Sequence, residues 1–271
     1  MATGKMKAAQ FLIIMMIAAL MMGGCNLFQD DQPPQITVIQ IDDEGEPTGF
    51  RRVFVFNDKG VIERINTFED FGSDKENVAA SWQVYLYNDQ GKISAVEFYE
   101  RAEDPAGEQV RTGTWTFTYT GDSEISRRNN DVTDFTVTLQ PDNDTIPMRS
   151  ETMVPGGDNR TFEYHWDIEE ERWSGFVHVS GNQDVDLTYD AFGSLSFARN
   201  PDFVERFNTV RGRPVEVTRR VNNSTNDFDG MTFVGEWDIR WRGRPETDVM
   251  HPAYGPLYGY GLVPEGAYMA R

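Results

Sequence analysis

From Ile36 onward, apolar residues recur at every second position, which is the period of a β-strand and not of a helix. Ile36 to Ile41 and Val53 to Phe56 open the series. It continues through Trp82 to Tyr87, Ile93 to Phe98, Thr114 to Tyr119, Asp134 to Leu139 and Thr161 to Trp166. Trp173 to Val179, Asp186 to Tyr189, Pro214 to Val221 and Met231 to Trp241 complete it. Each run is short and rich in β-branched and aromatic residues. Each is bounded by Gly, Asn, Asp or Pro, which supply turn conformations. Only Pro201 to Phe207, with Asn200 placed as an N-cap, reads as a helical turn. The pattern predicts an all-β domain over 36–248, an antiparallel sheet of successive hairpins curled toward a barrel or a two-layer sandwich.

Three segments repeat more closely. Phe54, Phe56, Gly60 and Ile62 form the first; Tyr85, Tyr87, Gly91 and Ile93 the second; Leu187, Tyr189, Gly193 and Leu195 the third. In each, an aromatic is followed four positions on by Gly and six on by an aliphatic, with Asn-Asp or Asp190 opening the turn. Phe117, Tyr119 and Ile125 are a degraded copy with Gly121 displaced. Alternation puts the first strand's two side chains on one face. The Gly takes positive φ to reverse the chain, and the aliphatic packs back toward the aromatic. A lone hairpin is marginal in water, so stacked copies must share a buried face. Tyr87, Gly91, Tyr189, Asp190 and Gly193 are therefore read as structural.

This unit resembles the YD repeats of Rhs-type proteins and of many bacterial envelope lipoproteins, most closely at Tyr189, Asp190, Gly193 and Leu195. The resemblance covers Phe54 to Arg199. It implies a repeated hairpin scaffold and not the large toxin-enclosing shell, for which the chain is too short.

The front end has a different pattern. Lys5 and Lys7 precede an uncharged run from Phe11 to Met22, which Gly23, Gly24 and Cys25 close. Twelve apolar residues are too few to span a hydrocarbon core but suit a secretory signal. Cys25 is the only cysteine, so no internal disulfide or thiolate cluster is available. The segment resembles the lipobox of bacterial lipoproteins. That resemblance implies cleavage before Cys25, a thioether-linked diacylglycerol with further acylation of the palmitate type, and anchoring by several chains. Asn26, where sorting rules of this kind place an Asp for inner-membrane retention, leans toward the outer membrane on the periplasmic route. Residues 26–35, with Pro33 and Pro34, read as a short semi-rigid tether.

Charge narrows the partners. The 271 residues carry 25 Lys and Arg against 44 Asp and Glu, a formal charge of −19, which repels nucleic acid. Residues 199–271 hold as many arginines as carboxylates, so the negative charge lies in the repeat-bearing part. Within the C-terminal part, Arg240, Arg242 and Arg244 flank Trp241; they suit a phosphate or carboxylate, or else outward strand positions paired with acids. Residues 249–271, with Tyr254, Tyr258, Tyr260 and Tyr268 among Gly and Pro, read as a strap across the sheet or a partner-binding segment.

Catalytic motifs are missing: no H-E-x-x-H, P-loop, dinucleotide fingerprint or nucleophile elbow occurs. His165 and His178 lie in neighbouring runs and could hold a metal with Asp167 if they faced each other, although alternation with aromatics points His165 outward. Thr225, Asp227, Asp229, Gly230 and Glu236 have EF-hand spacing without flanking helices, and Asp229-Gly230 reads equally as a hairpin turn. The Asn57-Asp58, Asn88-Asp89 and Asp142 to Asp144 stretches read as turns, and Glu169 to Glu171 as an acidic loop.

The sequence thus predicts a lipid-anchored envelope protein, held by lipid on Cys25, acting as a non-catalytic binding, scaffold or assembly module toward an envelope protein or glycan. It assigns no catalytic, metal-binding or cofactor residue. The alternatives are a periplasmic glycan hydrolase or lyase using paired carboxylates, and a calcium-dependent surface module. Paired acids beside an exposed Trp in a cleft would favour the enzyme.

Overall fold

A computed structural model of the chain describes residues 33–69, 78–102, 109–121, 123–140, 143–179, 181, 183–223 and 227–243. Cys25 with its signal, most of the tether, Thr225, Arg244 and the 249–271 segment lie outside the described residues. Sixteen strands follow one another: β1 (Gln35–Ile41), β2 (Pro47–Phe56), β3 (Ile62–Phe68), β4 (Ser81–Tyr87), β5 (Ile93–Arg101), β6 (Gln109–Thr120), β7 (Glu124–Asn129), β8 (Val132–Gln140), β9 (Asn143–Thr152), β10 (Arg160–Asp167), β11 (Arg172–His178), β12 (Val185–Tyr189), β13 (Leu195–Arg199), β14 (Phe203–Val210), β15 (Arg213–Val221) and β16 (Phe233–Arg242). Each pairs antiparallel with the next, and β1 also pairs with β16, so the meander closes into a barrel.

Alternation decides what fills it. Ile36, Phe54, Phe56, Ile65, Trp173, Phe176 and Leu195 all face inward and are almost wholly shielded from water. A second cluster of Ile125, Phe135, Val137 and Leu139 fills the β7–β8 side. Full burial of such side chains contributes about 1.5–3 kcal/mol each. Many outward positions are polar: Thr116 lies opposite Arg128, and Glu163 opposite Arg149.

The three predicted repeats share one turn. Asn57 Oδ1 accepts from the backbone N–H of Lys59 and Val61, Asn88 Oδ1 from Gln90 and Lys92, and Asp190 Oδ1 from Phe192 and Ser194. Gly60, Gly91 and Gly193 have φ of 77°, 79° and 81°. A register shift follows at the same place in each, at Phe56, Tyr87 and Tyr189. The same turn also occurs at Asp42, which accepts from Glu44 and Glu46 ahead of Gly45 at φ 85°. The repeat pattern does not show it, because Ile41 replaces the aromatic.

Two of these aromatics also reach back to the hairpin before them. Tyr87 Oη donates to the carbonyl of Ile62 (2.5 Å) and Tyr119 Oη to that of Ile93 (3.0 Å). Trp241 Nε1 makes the equivalent bond to Pro214 (2.6 Å). Burial pushes the Tyr119 phenol up to about 12; burial, and then the neighbouring Tyr119, pushes Tyr87 higher still.

Pro201 to Phe207 is not helical. Asn200 Oδ1 accepts from the N–H of Asp202 and Phe203, which makes a turn into strand β14. Phe203, Glu205 and Phe207 then alternate on one face, so strand pairing with β15 overrides the cap reading.

The connections fall on two rims. One, the turn rim, carries the β2–β3, β4–β5, β6–β7, β10–β11, β12–β13 and β14–β15 turns, together with Gln35 and Arg242 where the chain enters and leaves the ring. The other, the loop rim, carries β1–β2, β3–β4, β5–β6 and β15–β16 among others.

Two predictions follow from these turns and clasps. Gly91→Ala should cost more than about 1 kcal/mol in urea unfolding, all of it backbone strain, because a Cβ there meets nothing within 4 Å; Gly91→Asn should cost less. The clasped tyrosines also set an alkaline limit. Their folded-state pKa lies above the unfolded value of about 10, so the stability they contribute is complete below about pH 10 and is lost as pH rises toward about 12. The urea midpoint should fall across that window, and Tyr119→Phe should flatten the fall.

Candidate functional site: an aromatic and arginine groove at the loop rim

Strands β3 to β6 present an outward groove of about 480 Å³ near the loop rim. Its floor is Trp82 on β4, directly opposite Tyr99 on β5, with ring centroids 6.0 Å apart and planes 4° apart. Trp82 faces outward because it is out of phase with Tyr85 and Tyr87, which face the core. Arg64, Asn66 and Phe68 on β3 form one wall, and Arg101 and Gln109 the other. Arg51 lies over the Phe68 ring, 4.2 Å from its centroid. A second hollow of about 320 Å³ shares Trp82 and Tyr99 and extends to Phe98, Trp115 and Asn129.

Tyr99 is held in place. Its Oη donates to Glu97 Oε2 (2.7 Å), and Arg111 Nη1 donates to Glu97 Oε1 (2.9 Å). These bonds, that of Tyr99 first, hold the Glu97 carboxyl below its usual range, and the bond to Glu97 raises the Tyr99 phenol. Arg64 and Arg101 are exposed, and among the described residues neither has a carboxylate partner. Among the described residues no Asp or Glu lines the larger groove, and Glu100 is the one acid lining the smaller.

The residues singled out by sequence fall elsewhere. His165 pairs with Gly175 and is exposed, whereas His178 pairs with Phe162 and faces the other way, so the two histidines cannot share a metal. Asp229 is taken by Arg206 (3.0 Å) and Asp227 caps Gly230, while Glu236 stands on β16 opposite Thr218. Burial, and then the Glu216 charge, raises the Glu236 carboxyl, whereas a calcium loop would turn Glu236 toward Asp227. Arg240 pairs with Asp238 (2.8 Å) and Trp241 turns inward, as expected of an outward strand arginine beside a core aromatic. Asp167 Oδ1 accepts from the N–H of Glu169 and Glu170, and Glu171 adopts φ 51°, so this acidic stretch is a turn.

No family model matches the chain, and no curated protein matches it. Among solved structures it is similar to a porin-like protein from Bacteroides uniformis, with 16% identity and a TM-score of 0.33, covering 71% of this chain and 61% of that one. The chain thus spans about three-fifths of that protein's length. It is also similar to a protein of unknown function from Bacteroides fragilis, with 13% identity and a TM-score of 0.17, covering 63% of this chain and 96% of that one. Likenesses of this size say nothing about activity.

The Glu97 clamp can be checked directly. In Glu97→Gln the Tyr99 phenol should titrate closer to about 10, seen by ultraviolet difference titration with Tyr99→Phe assigning the signal. An unchanged curve would show that the clamp does not exist in solution.

Proposed function

We propose that this chain is a lipid-anchored, non-catalytic binding module of the bacterial envelope, tethered through Cys25 and presenting the Trp82–Tyr99 groove to a partner. One observation carries the reading. The ring is apolar inside and charged outside, so its body suits water, while an uncharged run ending in a lone Cys precedes it. Such a body needs a separate device to stay at a membrane, and acylation of Cys25 supplies one. Asn26 to Pro34 bridges at most about 30 Å and joins β1 at the turn rim. The enzyme reading needs two acids facing one cleft, and among the described residues neither hollow is lined by two.

Fractionation with intact-mass measurement tests the anchor. Wild-type protein should sediment with envelopes and carry acyl mass on Cys25; Cys25→Ala should lose both while remaining folded. A bare Cys25 in the native product refutes the anchor.

A further inference from the structure

We infer that the Trp82–Tyr99 groove is a binding site for an acidic saccharide, one whose sugar ring lies on the aromatic pair while its carboxylate meets Arg64 and Arg101. This deepens the binding-module reading and rests on it.

The argument begins with what a strand surface normally does with large aromatics and cations. Outward aromatics are costly to leave wet, and on β13 the outward ring is covered, although Phe192 in the β12–β13 turn is left exposed. Phe197 packs with Val204, Phe228 and Met231, while Arg206 and Arg220 lie against Phe228. Trp82 and Tyr99 form instead the shared wall of two hollows. Their rings lie parallel with centroids 6.0 Å apart, and Glu97 holds the Tyr99 ring in place. The axial C–H bonds of a pyranose form an apolar, weakly positive face. An aromatic face is electron-rich, so the two stack with many weak C–H contacts.

Charge selects among sugars. The chain carries −19 overall, and several outward arginines are neutralised, as Arg206 is by Asp229, Arg111 by Glu97 and Arg240 by Asp238. Among the described residues, Arg64 and Arg101 stand in a groove lined by no carboxylate. A guanidinium takes a carboxylate through two parallel N–H bonds. Asn66 and Gln109 add amides that match hydroxyls in both donor and acceptor sense. A groove of about 480 Å³ open to solvent suits a few sugar units of a longer chain rather than an enclosed small molecule.

The test uses detergent-solubilised full-length protein, with intrinsic tryptophan fluorescence and calorimetry as readouts. The probes are tetragalacturonate, a mannuronate tetramer and a chondroitin sulfate tetrasaccharide, against neutral maltotetraose and cellotetraose, with inorganic phosphate as a competitor. At least one acidic probe should bind. Trp82→Ala should weaken it by about tenfold or more, and Trp82→Phe less. Arg64→Gln with Arg101→Gln should each cost about tenfold and bring the acidic probe level with its neutral counterpart. Arg240→Gln, on another part of the ring, should change nothing. Circular dichroism and thermal melting confirm that every variant is folded. Neutral probes binding as tightly as acidic ones, phosphate alone displacing the acidic probe, or no acidic probe binding at all would each overturn the assignment. Any of these would leave the envelope anchor standing, because Cys25 acylation is read separately by mass.

Discussion

The barrel depends on β1 finding two partners. Ile36 lies opposite Phe54 on one side and Trp241 on the other, with no exposed surface, so one seven-residue strand joins the first and last hairpins. Without it β2 and β16 would be open edges, each a row of unpaired backbone groups inviting another chain. Closure also fixes which face is hidden. A membrane-spanning barrel of this strand number has a polar lumen and an apolar outer band. Here the polarity is reversed: Phe54, Trp173 and Phe176 fill the inside, while Thr116, Thr118, Glu163 and Asp186 are exposed outside. Among the described residues, apolar side chains pack the interior and the exposed outward positions named here are polar.

Within the ring, the recurring device is a polar atom on an aromatic. Tyr87, Tyr119 and Trp241 each bury a ring and spend its one donor on a carbonyl of the preceding hairpin, which fixes the spacing between units as well as packing within them. Inward charges are treated in the same way. Glu205 is 1% exposed and is held by Arg219, whose guanidinium lies 5.4 Å from the Trp237 ring. Arg127 pairs with Asp134 and lies 4.1 Å over Trp115. Losing one member of such a buried pair costs about 3–5 kcal/mol, so these pairs constrain register more than they add net stability.

Much of this was legible in the chain. The period-two runs marked most strands, and Gly60, Gly91 and Gly193 marked turns that do take positive φ. Two strands were hidden by local signals that pairing overrode. Strand β9 carries Pro147 and opens on Asn143-Asp144, which reads as a turn; the ladder accommodates the proline beside bulges at Leu139. Strand β14 was masked by the cap-like Asn200, because an Asn accepting two N–H groups opens a turn as readily as a helix. Half of the groove was legible. The phase of Trp82 against Tyr85 and Tyr87 puts it outward, but nothing local joins it to Arg64 and Arg101. That neighbourhood exists only once register pairs Arg64 with Val84 and Trp82 with Tyr99.

A single bulge completes the groove. In regular pairing Tyr99 would stand opposite Thr112, because Phe98 stands opposite Gly113. The register shift at Phe98/Tyr99 skips Thr112 and sets Arg111 opposite Tyr99 instead, within reach of Glu97. Glu97 then receives Tyr99 and Arg111 together and has no need of Arg64 or Arg101. One extra residue on β6 thus both fixes the platform and leaves two guanidiniums for a ligand. Bulges commonly re-aim a side chain next to a functional site. A platform fixed before the ligand arrives loses less freedom on binding, so a shallow, water-facing groove can still hold a polar chain.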